Sequence, residues 1–382
     1  MHRLHLALAL CLATAPFAHA ATVEAMKVPD GGIQPQVAVD AQGGVHLLYF
    51  KGEPGAGDLY YAKSTDGGKA WSKGLKVNSG AGSAIATGSV RGAHLALGRN
   101  GRPHAAWMGS NKAEPKGAGG ATPMLYARLD EAGAAFEPQR NVMQVTSGLD
   151  GGGTVAADPN GNVHVIWHGI APGLKGEENR QVFVARSSDD GKTFAREAPA
   201  FNQPTGACAC CGMEAFADAK GRVFVLFRAA MQKVNRDMFL LIANAPGAAF
   251  QGSDIAPWKA QMCVMSTASF SEAAGNVLAG WEAEGQVYLG RIDAATLRLN
   301  QPLPAPGPAG KRKHPKVAGN ASGESILAWT EGTGWQKGGA AAWQVFDKDG
   351  KPTEQKGRAD GVPVWGLVAA FARADGNFVV LY

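Results

Sequence analysis

The chain has 382 residues, of which 52 are glycine, and only 18% of its residues are charged. Its net charge of +5 is small and its basic residues are scattered, which excludes the concentrated positive surface of nucleic-acid-binding proteins. Abundant glycine with few charges is typical of short strands joined by tight turns, and therefore favours an all-β chain.

The first twenty residues have the pattern of an export signal. Arg3 gives a positive start, residues 4–16 are apolar, and the Ala-His-Ala sequence at 18–20 is a small-x-small cleavage site. We therefore expect cleavage after Ala20, leaving one periplasmic or secreted domain over residues 21–382. The apolar run is too short to cross a bilayer, and we expect no membrane span elsewhere.

One phrase then recurs seven times: a turn glycine followed by a short apolar strand that ends in a large aromatic residue. The copies are GGVHLLYF at 43–50, GRPHAAW at 101–107, GNVHVIW at 161–167, GRVFVLF at 221–227, GNVLAGW at 275–281, GESILAW at 323–329 and GNFVVLY at 376–382. From Gly44 the glycine recurs after 57, 60, 60, 54, 48 and 53 residues. A period near 50 residues built from a turn and a strand predicts a β-propeller.

Each repeat predicts a blade of four antiparallel strands, labelled A to D from the axis outward. Seven A–B pairs are present but only six C–D pairs, because the last pair, at 365–382, ends the sequence. We expect residues 21–28 to supply an outer strand to the last blade, since this pairing removes an exposed sheet edge. The number of A–B pairs favours seven blades.

Two turns between strands C and D share the pattern S-x-D-x-G-x-x-W/F. Its members are Ser64, Asp66, Gly68 and Trp71 in the first repeat, and Ser187, Asp189, Gly191 and Phe194 in the third. We expect the Asp to cap backbone N–H groups, the glycine to adopt positive φ, and the aromatic ring to pack between blades. The pattern resembles the Asp-box, or BNR repeat, of sialidase-like propellers, and this resemblance implies six blades as the alternative count.

Four cysteines follow the export signal, and they lie in the links that enter blades 4 and 5. Cys208, Cys210 and Cys211 form C-A-C-C, and Cys263 lies in M-C-V-M. Links between blades share a face with the B–C loops, where the channel opens and ligands bind. Thiolates and thioethers select Cu(I), so the four cysteines with Met213 and Met265 predict a copper or thiol redox site. Two disulfides are the alternative for an exported chain.

The C-A-C-C segment, a following N-R-D-M, a tryptophan and a later lone cysteine together resemble a subgroup of secreted bacterial sialidase-like proteins with a C-x-C-C motif. This likeness covers only residues 206–270, whereas the Asp-box likeness spans most of the mature chain. Val264 stands where that subgroup usually has proline, and Gly212 replaces its usual basic residue. This resemblance implies the fold of the subgroup but no particular activity.

Sialidase-type glycoside hydrolysis is the enzymatic alternative, and it requires an arginine clamp, a tyrosine nucleophile and acidic groups. The candidates predicted at the mouth are Arg91, Arg228 and Arg236 for the clamp, Glu214 as a base, and Asp237 in the wall. The simpler expectation for Glu214 is a salt bridge to Arg228. No tyrosine falls near the predicted axis, and I-Q-P at 33–35 replaces the early arginine motif of sialidases.

The sequence therefore predicts a monomeric, sialidase-like propeller that acts mainly as a binding protein, through an unidentified ligand at the mouth of blades 4 and 5. A protein-binding propeller with purely structural disulfides is a further alternative. Its rim would be the long loops at 108–123 and 168–181.

Overall fold

The structure is a computed structural model that describes residues 21–232, 234–293 and 295–382. The export signal predicted at 1–20 lies outside the described residues. The described part of the chain contains 27 strands in seven sheets, and four single-turn 3-10 helices: Pro29–Gly31, Arg99–Gly101, Ala118–Gly120 and Glu177–Asn179. Within these residues no helix has the length and apolar character needed to cross a bilayer.

The strands follow one another blade by blade, after a first strand β1 (Val23–Met26). Blade 1 contains β2 (Ile33–Val39), β3 (Val45–Lys51), β4 (Asp58–Ser64) and β5 (Leu75–Lys76). Blade 2 contains β6 (His94–Leu97), β7 (Pro103–Met108), β8 (Met124–Arg128) and β9 (Arg140–Asn141). Blade 3 contains β10 (Gly153–Ala157), β11 (Val163–Ile170), β12 (Arg180–Ser187) and β13 (Ala198–Pro199).

The remaining blades continue in the same order. Blade 4 contains β14 (Glu214–Ala217), β15 (Val223–Arg228), β16 (Met238–Ala243) and β17 (Gln251–Ala256). Blade 5 contains β18 (Ser269–Ala273), β19 (Asn276–Ala283), β20 (Gln286–Asp293) and β21 (Leu303–Pro304). Blade 6 contains β22 (Arg312–Gly319), β23 (Ser325–Glu331), β24 (Gly339–Phe346) and β25 (Pro352–Val362), and blade 7 contains β26 (Ala369–Ala372) and β27 (Phe378–Leu381).

The blades form a closed ring around their innermost strands. Each innermost strand contacts that of the next blade, and β26 of blade 7 contacts β2 of blade 1. The apolar core lies between adjoining sheets, where Trp107, Trp167 and Trp281 of the second strands are almost fully buried. The repeated aromatic residue therefore packs blade against blade, which explains why the phrase recurs once in each repeat.

The ring closes where the start of the described chain meets its end. β1 pairs in parallel with β27, from Val23 opposite Phe378 to Met26 opposite Leu381. The seventh blade consequently has three strands, whereas the other six have four antiparallel strands each. The predicted closing strand and the count of seven blades are confirmed, and the count of six implied by the resemblance is wrong.

The two S-x-D-x-G turns have the predicted geometry. Ser64 Oγ donates to Asp66 Oδ1 at 2.7 Å and accepts the Gly68 N–H at 2.8 Å; Ser187 makes the corresponding contacts with Asp189 and Gly191 at 2.7 and 2.9 Å. Both glycines have positive φ, 88° and 75°. The closing aromatic rings pack between blades: Trp71 joins the cluster shared with blade 7, and Phe194 meets Tyr126 of blade 2 edge-on at 4.9 Å.

The closing strand should be essential for stability. Deleting residues 21–27 leaves β27 with an unpaired edge, so we expect the thermal unfolding midpoint to fall by roughly 5 °C or more, with aggregation. Circular dichroism melts and size-exclusion chromatography measure both effects. Lys27→Ala is the control, because it removes the side-chain contacts of Lys27 Nζ with Gly361 O and with the Tyr382 ring but leaves the pairing of β1 with β27 in place. An unchanged midpoint after the deletion would contradict this description of closure.

Candidate functional site

The cysteine-rich link enters blade 4 through a hydrogen-bonded turn. The Cys211 N–H donates to Cys208 O at 3.3 Å, so these two cysteines are the first and last residues of a four-residue reversal. Their sulfurs are 2.9 Å apart, and Cys208 Sγ lies 3.5 Å from Cys210 Sγ. All three sulfurs lie within 4.8 Å of one another, and we call this group the thiol cluster. This chain reversal brings the three thiols close together.

Neighbouring backbone holds this turn at both ends. Cys208 N–H donates to Arg228 O at 2.9 Å, and Gly212 N–H donates to Ser266 O at 3.1 Å. The Ala209 N–H donates to the Glu177 carboxylate at 3.1 Å. Glu177 was not among the site residues predicted from the sequence. Its position in the B–C loop of blade 3, beside the link into blade 4, was the available signal.

Gly151 leaves the space that the turn occupies. A Cβ at this position would lie 2.3 Å from Cys211 O, 2.5 Å from Ala209 O and 2.8 Å from His168 Nε2. The first two are backbone atoms, which cannot move aside as the end of a flexible side chain can. Only glycine therefore allows the link into blade 3 to approach the turn this closely.

Two buried imidazoles flank the thiol cluster. His168 is 2% exposed, and in the described part of the chain neither of its ring nitrogens has a hydrogen-bond partner of normal geometry, although the Cys211 backbone lies beside it. Burial lowers the pKa of His168 to about 4 and that of His314 to about 3, so both rings are neutral near pH 7. His314 precedes a proline at a β-bulge that begins β22, where its φ is 55°.

The electrostatic surroundings favour a thiolate at one position. Burial alone would raise the pKa of Cys211, but hydrogen bonds from Cys208 and Cys210 and the positive charge of Arg228 lower it well below its usual range. The hydrogen bonds with Cys208 and Cys211 raise the pKa of Cys210. Of the three thiols, Cys211 is therefore the one whose thiolate form the surroundings favour.

The structure brings together three of the four predicted cysteines. Cys263 is exposed and lies outside the thiol cluster. Met213 is buried in the apolar core between blades 3 and 4. Met265 contacts Cys211 through a backbone hydrogen bond.

Each arginine proposed for a substrate clamp already pairs with its own carboxylate. Arg91 lies 2.8 Å from Asp150, Arg236 lies 3.0 Å from Glu177, and Arg228 lies 3.5 Å from Glu282. The side chain of Asp237 accepts the Trp258 N–H at 2.8 Å. Four tyrosines occupy third strands, away from the axis: Tyr60, Tyr61, Tyr126 and Tyr288. The groups needed for sialidase chemistry are thus committed to other contacts or placed elsewhere.

Glu214 lies in a polar network on the inner strands. Its carboxylate is 3.0 Å from His94 Nδ1 in blade 2 and 3.4 Å from Lys316 Nζ in blade 6. Thr154 of blade 3 donates to it at 3.4 Å, and Lys316 also donates to Gln36 of blade 1 at 3.0 Å. The predicted Glu214–Arg228 salt bridge is wrong, because the inner strand directs Glu214 towards the axis while Arg228 ends β15 beside Glu282.

His94 and Lys316 were not predicted from the sequence as partners of Glu214. All three occupy one register position on their inner strands, opposite Ala106, Ala328 and Leu226 respectively. Aligning the repeats at that position would have revealed the network. Burial alone would raise the pKa of Glu214, but His94 and then Lys316 lower it below its ordinary value.

No protein-family model matches the sequence, and no curated protein matches it. Among solved structures, the fold is similar to an α-L-arabinofuranosidase of Fusarium graminearum in complex with arabinobiose. That match has 9% identity and a TM-score of 0.51, covering 81% of this chain and 92% of that one. An α-L-arabinanase of Penicillium chrysogenum matches with 11% identity and a TM-score of 0.50, covering 86% and 97%.

A NanB sialidase variant from Streptococcus pneumoniae is also similar, with 12% identity and a TM-score of 0.47 over 96% of this chain and 68% of that one. At these identities, the two matches with TM-scores of 0.50 and 0.51 support the propeller fold alone. Function must be argued from the residues of the site itself.

The Glu214 network should make stability depend on pH. Its pKa is lower in the folded chain than the ordinary value near 4.3, so its ionised form stabilises the fold above that pH, and this contribution is lost as pH falls through the folded pKa. At pH 7 we expect Glu214→Gln to cost roughly 3 kcal/mol by leaving Lys316 without its carboxylate.

Urea unfolding of the unmodified chain and of Glu214→Gln between pH 7 and pH 3 measures the difference in their free energies of unfolding. We expect this difference to become smaller as the pH falls. Glu284→Gln, at an exposed position, is the control and should stay within about 0.5 kcal/mol of the unmodified chain. A Glu214→Gln cost that is independent of pH would contradict the assignment.

Proposed function

We propose that the chain is an exported binding propeller whose thiol cluster binds a soft metal ion, Cu(I), at the mouth face. The observation that carries this proposal is the convergence of Cys208, Cys210 and Cys211, with their sulfurs within 4.8 Å of one another. Soft thiolate ligands select Cu(I) over harder cations, so the chemistry of the three donors favours this ion.

The composition of the cluster argues against a structural zinc site. Such sites have four protein ligands in tetrahedral arrangement. Among the described residues, the group that could share one ion contains three cysteines and neither a histidine nor a carboxylate. Three cysteine sulfurs with no histidine, carboxylate or fourth cysteine beside them in the described part of the chain suit an ion of low coordination number, such as Cu(I), better than zinc.

The surroundings of the cluster also support metal binding. Arg228 favours the thiolate form of Cys211, and the positive charge of Arg236 lies close enough to Cys208 and Cys211 to favour negative charge on these sulfurs. Ligand thiols must lose their protons when the metal binds, and nearby positive charge reduces the cost of that step. The turn itself is held by contacts with Arg228, Ser266 and Glu177, so its ligands are largely preorganised.

The alternatives have less support. Glycoside hydrolysis would need free arginines and an axial tyrosine, whereas the three candidate arginines are paired with carboxylates. A staple between blades 4 and 5 would use Cys263, which is exposed and outside the thiol cluster. Binding at the cluster is therefore the function that these residues favour.

Copper binding should require all three cysteines of the cluster and no others. We expect the reduced chain to retain one Cu(I) per molecule in competition with a chromophoric Cu(I) chelator under anaerobic conditions. Each of Cys208→Ser, Cys210→Ser and Cys211→Ser should weaken Cu(I) binding by more than about 100-fold, since even substitutions outside the ligand shell cost about 10–100-fold in known metal sites.

Cys263→Ser is the matched control, because it removes an exposed thiol outside the cluster and should leave the affinity unchanged. Circular dichroism confirms that each variant is folded. The proposal would be contradicted if the reduced chain failed to retain copper, or if Cys263→Ser lost as much copper affinity as the three cluster variants.

A further inference from the structure

The thiol cluster contains a second pattern within C-A-C-C. Cys208 and Cys211 have C-x-x-C spacing, with two residues between them, and a backbone hydrogen bond across the turn joins them. Dithiols with this spacing exchange readily with disulfides in other proteins. Both residues are nearly fully buried, at 1% and 2% exposure, whereas Cys210 is the least buried of the three.

We propose that the thiol cluster exchanges with small disulfides of the glutathione type, taking up two oxidising equivalents as a Cys208–Cys211 disulfide. The exchange itself does not depend on metal binding. Its consequence for copper rests on the proposed function, because the oxidised cluster keeps one thiol where three are needed to hold Cu(I).

The reaction proceeds by successive thiol–disulfide exchanges, beginning at the least buried sulfur. Cys210 Sγ attacks one sulfur of the small disulfide and forms a mixed disulfide, while its proton passes to the departing sulfur, which leaves as the first small thiol. Cys208, whose sulfur is 3.5 Å away, then attacks Cys210 Sγ and releases the second. Cys211, at 2.9 Å, attacks Cys208 Sγ and returns Cys210 to the thiol form.

The balance of these steps is complete. Two protein thiols lose two electrons and two protons and form one disulfide, and one small disulfide becomes two small thiols. The Cys208–Cys211 bond is the expected end point because the ends of a turn lie within about 7 Å between Cα atoms, which falls in the range of disulfides. A Cys208–Cys210 bond would close a smaller ring inside the turn, and is therefore the intermediate.

Mass spectrometry of the Cys263→Ser chain tests this assignment directly. The reduced protein is treated anaerobically with oxidised glutathione, blocked with N-ethylmaleimide and digested with trypsin. Residues 197–220 form one tryptic peptide that contains all three cysteines of the cluster. We expect this peptide to lose about 2 Da through one disulfide and to carry one maleimide, which fragmentation places on Cys210.

A kinetic variant tests the order of the steps. Cys210→Ser should form the same Cys208–Cys211 disulfide but at least about 10-fold more slowly, because the remaining thiols are buried. The proposal would be overturned if the maleimide were found on Cys208 or Cys211, or if glutathione remained attached to the peptide. It would also be overturned if Cys210→Ser formed the disulfide as fast as the chain with Cys210.

The same preparations separate this inference from the proposed function. Disulfide formation without copper binding by the reduced chain would defeat only the metal site. Copper binding without a Cys208–Cys211 disulfide would defeat only the exchange. If both hold, the oxidised chain should retain less than about a tenth of the copper bound by the reduced chain.

Discussion

The parallel pairing of β1 with β27 is the contact on which the rest of the architecture depends. Without it, blade 7 would have two strands and an open edge, although it must contact blades 6 and 1 through β26. Closure holds the innermost strands in one ring. Because the ring is closed, links and B–C loops of neighbouring blades meet on one face, where a loop of blade 3 and the link into blade 5 both support the turn that carries the thiols.

The turn at residues 208–211 places three thiols close enough to share a metal ion or to exchange disulfides. A single backbone hydrogen bond, from Cys211 to Cys208, makes neighbours of thiols that a straight strand would separate. Gly151 makes room for the turn, and Arg228 both accepts a backbone hydrogen bond from it and favours a thiolate within it. Metal binding and disulfide exchange are two uses of one geometry, since each requires closely placed sulfurs and a thiolate among them.

The fold could be predicted from the sequence because each blade packs against the next through the same short sequence pattern. A turn glycine and a buried aromatic residue such as Trp167 are required once per blade, so counting them counts blades. The closing strand followed from the missing partner of the last A–B pair. Six blades, implied by the Asp-box resemblance, was wrong because that turn reports the conformation of a hairpin and carries no information about the number of blades.

The candidate site could be predicted only in part. The link position placed Cys208, Cys210 and Cys211 at the mouth, but spacing alone did not exclude Cys263, whose exposure depends on the conformation of its own link. The partners of Glu214 come from blades 2 and 6, far away in the sequence, and short-range patterns cannot reveal such contacts. Glu177 is also distant in the sequence from the turn that it contacts, and only the position of its loop pointed to it.

Copper K-edge X-ray absorption on the Cys263→Ser chain, loaded with one equivalent of Cu(I), tests the central claim most directly. The geometry of the thiol cluster predicts a first coordination shell of three sulfur atoms with no nitrogen or oxygen. A shell containing nitrogen or oxygen, or fewer than three sulfurs, would contradict the claim that Cys208, Cys210 and Cys211 form one metal site.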